Sequence, residues 1–62
     1  MTSNELKTTR AKMMLTQQTL ADRLGLSIRT IKYYESGEIN IPRPVELAIK
    51  AIELEAATWQ GR

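Results

Sequence analysis

Residues 15–38 read LTQQTLADRLGLSIRTIKYYESGE. Thr16 and Ser27 each stand just before a short apolar-periodic run, where a helix N-cap belongs. Leu20, Ala21 and Leu24 form one apolar stripe at helical spacing. Gly25 and Gly37 each follow such a run, at the position where a helix commonly ends in the left-handed conformation. The stretch therefore predicts two short helices, the second from about Ile28 to Ser36, joined by the turn LGLS. That is helix-turn-helix geometry over about residues 16–37. Ala21 and Gly25 are small where the helices must cross, and Leu20, Leu24, Leu26 and Ile31 close the wedge.

The adjacent tyrosines test this reading, because neighbours on a helix point about 100° apart and two rings cannot enter one small core. With Ile31 taken as the inward direction, Tyr34 and Glu35 flank it on the inner side. Arg29 and Tyr33 point outward one turn apart, and Lys32 and Ser36 share their side. Thr30 is lateral, and Ile28 lies on the open first turn. The outer face offers a guanidinium, an ammonium and a phenol. Arginine reads guanine bidentately in the major groove, and lysine serves a phosphate or guanine. The plainer alternative is a solvated helix face carrying one tyrosine.

Working outward, Thr2 or Ser3 caps a first helix, with Glu5 completing a capping box that starts at Thr2. Leu6, Arg10, Met13 and Met14 then recur at helical spacing. After Gly37 comes INIPRP, in which Pro42 and Pro44 disfavour helix in the residues before them, so residues 38–43 read as a loop. Pro44 suits a first helical turn, and a last helix runs from about Pro44 to Thr58 or Trp59. Nothing alternates with period two over a useful length. The fold class is all-α, a compact four- to five-helix domain spanning residues 1–62.

The last helix carries two apolar stripes. Val45, Ile49, Ile52, Ala56 and Trp59 form one; Leu47, Ala51, Leu54 and Thr58 form the other. One stripe is enough to dock a helix on a small domain. The second is either the edge of one broad buried face or a contact for another chain, and Leu47, Ala51, Leu54 and Thr58 are the candidate dimer residues.

With 62 residues the chain is one domain, and a domain of this size buries only about 60% of its unfolded surface. Cysteine and histidine are both absent, which removes disulfides, thiolate nucleophiles and the usual metal ligands; no metal and no cofactor is expected. Without them, general bases and nucleophiles reduce to carboxylates, Lys, Tyr, Ser and Thr, and the chain is small for a substrate pocket, so an enzyme is not expected. No apolar run approaches the ~20 residues that span a bilayer, and MTSNELKTTR lacks a signal-peptide core, so a cytoplasmic location is expected and no membrane partner. The net charge is +2. It is uneven: residues 1–37 hold six basic against three acidic residues, and residues 38–62 three against four. The first part leans toward an anionic partner.

The run resembles the motif of the lambda-repressor-like helix-turn-helix domains, the Cro/C1-type or XRE family. Leu15-Thr16-Gln17, Leu20-Ala21, Leu24-Gly25-Leu26-Ser27, Ile31, and Glu35 followed by Gly37 carry the resemblance, which extends from about Leu6 to Ile52. It implies base reading by Ile28, Arg29, Lys32 and Tyr33. It implies DNA-backbone contacts from Gln17, Asn40 and Arg43, with Gln17 also bracing the recognition helix; Gln18, Ser27 and Ser36 are further expected backbone contacts, and Lys12 and Lys32 phosphate candidates. It implies a structural ion pair between Arg10 and Glu35; both residues fall on inner helix faces, where a lone charge would be costly. Ile28 departs from the family's frequent polar residue at the start of the recognition helix. The chain ends soon after Trp59, so no sensor domain and no small-molecule ligand is expected.

The expected function is a sequence-specific transcription regulator, a repressor that binds a pseudo-palindromic operator on double-stranded DNA as a homodimer and joins the nucleoid when bound. The alternative is an antitoxin-type interaction module whose last helix grips a toxin and which also autoregulates by binding DNA.

Overall fold

Four helices build the chain in a computed structural model that describes residues 1–60, with side chains described for residues 1–55. They are α1 (Ser3–Lys12), α2 (Gln17–Leu24), α3 (Ile28–Ser36) and α4 (Arg43–Gln60), and no strand occurs among the described residues. The starts are set by side-chain caps. Thr2, not Ser3, caps α1: its hydroxyl accepts from the Glu5 amide at 3.1 Å, and the Glu5 carboxylate accepts from the Thr2 amide at 2.8 Å. Thr16 accepts from the Thr19 amide at 3.0 Å and Ser27 from the Thr30 amide at 3.2 Å. Each cap satisfies an amide that the helix itself leaves unpaired.

The first three helices end in one backbone pattern. In each, a left-handed residue donates back three positions, and the next residue donates back five. Gly25 and Gly37 fill the left-handed position after α2 and α3, with φ of 71° and 84°. After α1 the position is held by Met14, at φ 58°, with Met14 N–H on the Ala11 carbonyl at 3.0 Å and Leu15 N–H on the Arg10 carbonyl at 3.2 Å. This corrects the sequence expectation for α1. Met14 does not continue the helical stripe; it has left the helix and is 87% exposed. The turn that lets Leu15 return to the core needs one left-handed residue, and no glycine stands there.

A second correction concerns α4, which begins one residue before the expected Pro44. The Pro42 carbonyl accepts from the Glu46 amide at 3.0 Å, so Arg43 is the first helical residue and Pro44 the second. Proline is harmless there, because the first amides of a helix have no internal partner.

All four helices meet in one core of Leu6, Leu20, Ala21, Ile31, Tyr34 and Ile49, with Leu15, Leu24, Leu26, Ile41, Val45 and Ile52 packed around it. The two stripes of α4 therefore separate. Val45, Ile49 and Ile52 face the core, whereas Leu47, Ala51 and Leu54 lie on the exposed side, so one broad buried face is not what forms. Ala56, Thr58 and Trp59 lie outside the described side chains. No helix among the described residues is long and apolar enough to cross a membrane.

Candidate nucleic-acid interface

The helical phase of α3 decides what it offers to solvent. Ile31, Tyr34 and Glu35 are buried, with Tyr34 only 6% exposed. Arg29, Lys32, Tyr33 and Ser36 are exposed, Tyr33 at 37%, and Ile28 is half-buried on the first turn. The adjacent tyrosines thus divide, one inside the core and one on the outer face.

What holds α3 in this phase is a buried carboxylate. Glu35 is 5% exposed and accepts from Arg10 Nε at 2.6 Å, from Arg10 Nη2 at 3.1 Å and from Gln17 Nε2 at 3.0 Å. Burial alone would push its pKa up. Hydrogen bonds from Arg10 and Gln17, with the charges of Arg10 and Lys7, win and hold it below the usual carboxylate range. Arg10 also donates through Nη1 to the Leu15 carbonyl at 3.0 Å, across the turn that Met14 makes. One acid therefore ties α1, α2 and α3 together, and no buried side-chain nitrogen or oxygen among the described residues lacks a partner.

Several residues expected at a phosphate backbone already have internal work. Gln18 Nε2 donates to Asp22 at 2.9 Å. The Ser27 hydroxyl caps α3 and pairs with the Thr30 hydroxyl at 3.0 Å. The Ser36 hydroxyl donates to the Tyr33 carbonyl at 3.0 Å and accepts from the Glu38 amide at 3.3 Å. Gln17 keeps its second amide hydrogen and its carbonyl beyond the bond to Glu35. Asn40 and Arg43, on the loop after α3 and the start of α4, are exposed and make no side-chain hydrogen bond among the described residues.

Cation pairing sorts the surface. Arg10, Lys12, Arg23 and Lys50 all sit in ion pairs, to Glu35, Glu53, Glu55 and Glu46. Arg29, Lys32 and Arg43 make none among the described residues, and nor does Lys7, whose charge lies near Glu35. Arg29 and Lys32 share the exposed face of α3 with Tyr33, and Arg43 is exposed at the start of α4. Lys12, a phosphate candidate by sequence, is instead turned toward Glu53 at 3.7 Å.

One neighbour of this face escaped the sequence reading. Ile39 is 46% exposed, and its amide lies 3.4 Å from the Tyr33 carbonyl. Its loop reads as apolar and proline-rich, so only the left-handed turn at Gly37 reveals that the loop backbone folds back on the end of α3 and leaves this side chain exposed. No group of His, Cys, Asp or Glu able to hold a metal ion occurs among the described residues.

A family model described as helix-turn-helix matches residues 6–49, which covers most of α1, all of α2 and α3, and the first part of α4. No curated protein and no solved structure matches the chain.

Proposed function

Since the chain belongs to the Cro/C1-type helix-turn-helix family of DNA-binding transcription regulators, we propose that it is a repressor that binds a pseudo-palindromic operator as a homodimer. The observation that carries this reading is the pairing of charges. Arg10, Lys12, Arg23 and Lys50 are paired with the chain's own carboxylates, whereas Arg29, Lys32 and Arg43, like Lys7 on α1, make no ion pair among the described residues and are left for an external anion. Arg29 and Lys32 stand on a helix whose rotation is fixed by Tyr34, Ile31 and Glu35.

In this reading α3 enters the major groove, with Arg29 on a guanine edge and Ile28 against a thymine methyl. Lys32 serves a phosphate or guanine, and Tyr33 lies against sugar or methyl groups. Gln17, Asn40 and Arg43 contact phosphates, which fix register and make affinity salt-dependent. Gln18, Ser27 and Ser36 would need to exchange their internal hydrogen bonds to join them. A homodimer through Leu47, Ala51, Leu54 and Thr58 would place two recognition helices about 34 Å apart, one helical turn of DNA. The location is intracellular, with the nucleoid as the bound state, and no catalysis is assigned.

Selection of bound duplexes from a random pool, read at two salt concentrations, tests the proposal. A two-fold symmetric consensus is expected, with binding that weakens as salt rises. Retention of every sequence alike would sink it.

A further inference from the structure

The exposed side of α4 repeats at a spacing of its own. Leu47, Ala51 and Leu54 step by four and three residues. With Leu47 at position d of a heptad, Ala51 falls at a and Leu54 at the next d. Ile49 then falls at f, and Val45 and Ile52 at b, which is the opposite side of the helix. That opposite side is the one packed on the domain core. A single helix therefore docks on its own domain through b and f, and presents an a/d seam away from it, with Leu47 53% exposed and Leu54 70% exposed.

The charges beside the seam select an orientation. Lys50 falls at g and Glu55 at the following e. In a parallel pair, g of one helix faces e of the next heptad of the other, so Lys50 meets Glu55 of the second copy, and the two-fold axis repeats the contact. In an antiparallel pair, g residues line the same edge from both chains, which would crowd Lys50 against Lys50 or Arg43 of the other copy. The present intrachain partners do not compete strongly. Arg23–Glu55 is 4.0 Å long and exposed at both ends, and Lys50–Glu46 is also 4.0 Å long, with Glu46 held more closely by the N-terminal ammonium at 3.2 Å.

We infer that α4 pairs in parallel with α4 of a second copy through Leu47, Ala51 and Leu54, flanked by Lys50–Glu55 contacts. This rests on the homodimer in the proposed function and specifies how it is built. A parallel pair sets both α4 starts, and hence both copies of Asn40 and Arg43, at one end of the dimer, where one duplex can meet them. The seam is small. Two leucines and one alanine per copy fall well short of the roughly 800 Å² per partner of a standard interface. The dimer is accordingly weak in free solution and is completed when a duplex holds both copies.

The chain has no cysteine, so cross-links can be introduced cleanly. Leu47→Cys and Leu54→Cys are made separately in the full chain and oxidised with oxidised glutathione over a concentration series. In a parallel pair each layer faces itself, and both variants cross-link into homodimers. In an antiparallel pair at most one can, because the layers are seven residues, about 10 Å, apart and only one can lie on the two-fold axis. One cross-link or none overturns the inference. A charge test stands beside it, by sedimentation. Lys50→Glu and Glu55→Lys should each weaken dimerisation about tenfold, and the double variant should return to within about twofold. Single variants without effect, or a double variant that stays weak, would also overturn it. If pool selection yields a two-fold consensus while neither cysteine cross-links, the operator reading stands and this pairing falls. Loss of the consensus itself strikes the operator reading. A stoichiometric, unrelated protein bound at this seam would assign it to that partner instead.

Discussion

Glu35 of α3 and Arg10 of α1 stand 25 positions apart in the chain and meet in a two-point contact, at 2.6 and 3.1 Å. The acid is buried and the guanidinium partly so, which makes the pair a joint whose halves depend on each other. Gln17 adds a third hydrogen bond at 3.0 Å. The rotation of α3 is thus set by contacts made to its buried side, away from the exposed Arg29, Lys32 and Tyr33.

Removing only the base should be worse than removing both partners. Arg10→Met leaves a buried carboxylate with Gln17 and the charge of Lys7 alone, and should cost about 2–3 kcal/mol, below the full range for a buried pair because Arg10 is partly solvated. Arg10→Met with Glu35→Leu should recover most of that loss, since neither group then needs desolvation. Urea unfolding of the two singles and the double gives the coupling directly. Additive losses would mean that the two side chains act independently.

The same carboxylate makes stability fall in acid. Its pKa in the folded chain lies below the ordinary value of 4.5. A depressed folded pKa contributes stability that is fully present above the unfolded value and is lost as pH falls through the folded one. The wild type should therefore lose stability on acidification from about pH 5 downward. Glu35→Gln should be less stable at neutral pH and should show a shallower fall over the same window. Parallel curves for the two proteins would remove Glu35 from the acid transition.

The tyrosine pair gives a two-sided test of helical phase. Tyr34 is in the core, and Tyr34→Ala should cost about 3 kcal/mol, enough to unfold much of so small a domain. Tyr33 is on the outer face, and Tyr33→Ala should change stability by no more than about 0.5 kcal/mol while weakening DNA binding. Thermal unfolding and a binding titration on the two variants suffice. Exchanged outcomes would mean that α3 is rotated from the phase described.

Most of this architecture was legible in the chain because its punctuation is local. Thr2, Thr16 and Ser27 start helices through bonds to amides three residues on, and Gly25 and Gly37 end them through φ alone. The separation of Tyr33 from Tyr34 follows from helical period in the same way. Met14 was not legible, since nothing in a methionine announces a left-handed turn and the demand for one comes from where Leu15 must go. Internal bonds of Gln18 and Ser36 were also hidden, because a polar side chain on a surface looks the same in sequence whether its donor is spent or not. Leu47 and Ala51 could be assigned to core or surface only once Ile49 was seen to fill the space beneath α4.

Met14 offers a stabilising substitution. A side chain at φ 58° costs about 1–2 kcal/mol, and glycine removes that strain at an entropic cost of about 0.5–1 kcal/mol. Met14→Gly should therefore raise stability by about 0.5–1 kcal/mol. Met14→Ala keeps the strain and should change little. Because Met14 is so exposed, neither variant loses packing, and chemical denaturation compares them cleanly. An unstabilised glycine variant would imply that the turn carries no strain.

Arg29 and Arg43 separate reading from holding. Both are exposed and lack an ion pair among the described residues, but Arg29 projects from the first turn of α3 and Arg43 opens α4. A base-edge contact acts at one position of the site, whereas a phosphate contact acts on every sequence. Arg29→Ala should cost about 1–3 kcal/mol on the selected site, less on unrelated duplex, and relax preference at one base position. Arg43→Ala should weaken all sequences alike and lower the dependence of log affinity on log salt by about one unit per copy. Titration of both variants against selected and scrambled duplexes at two salt concentrations resolves the four combinations. Uniform weakening by Arg29→Ala would move that residue from the bases to the backbone, and recognition would then have to rest on Lys32, Tyr33 and Ile28.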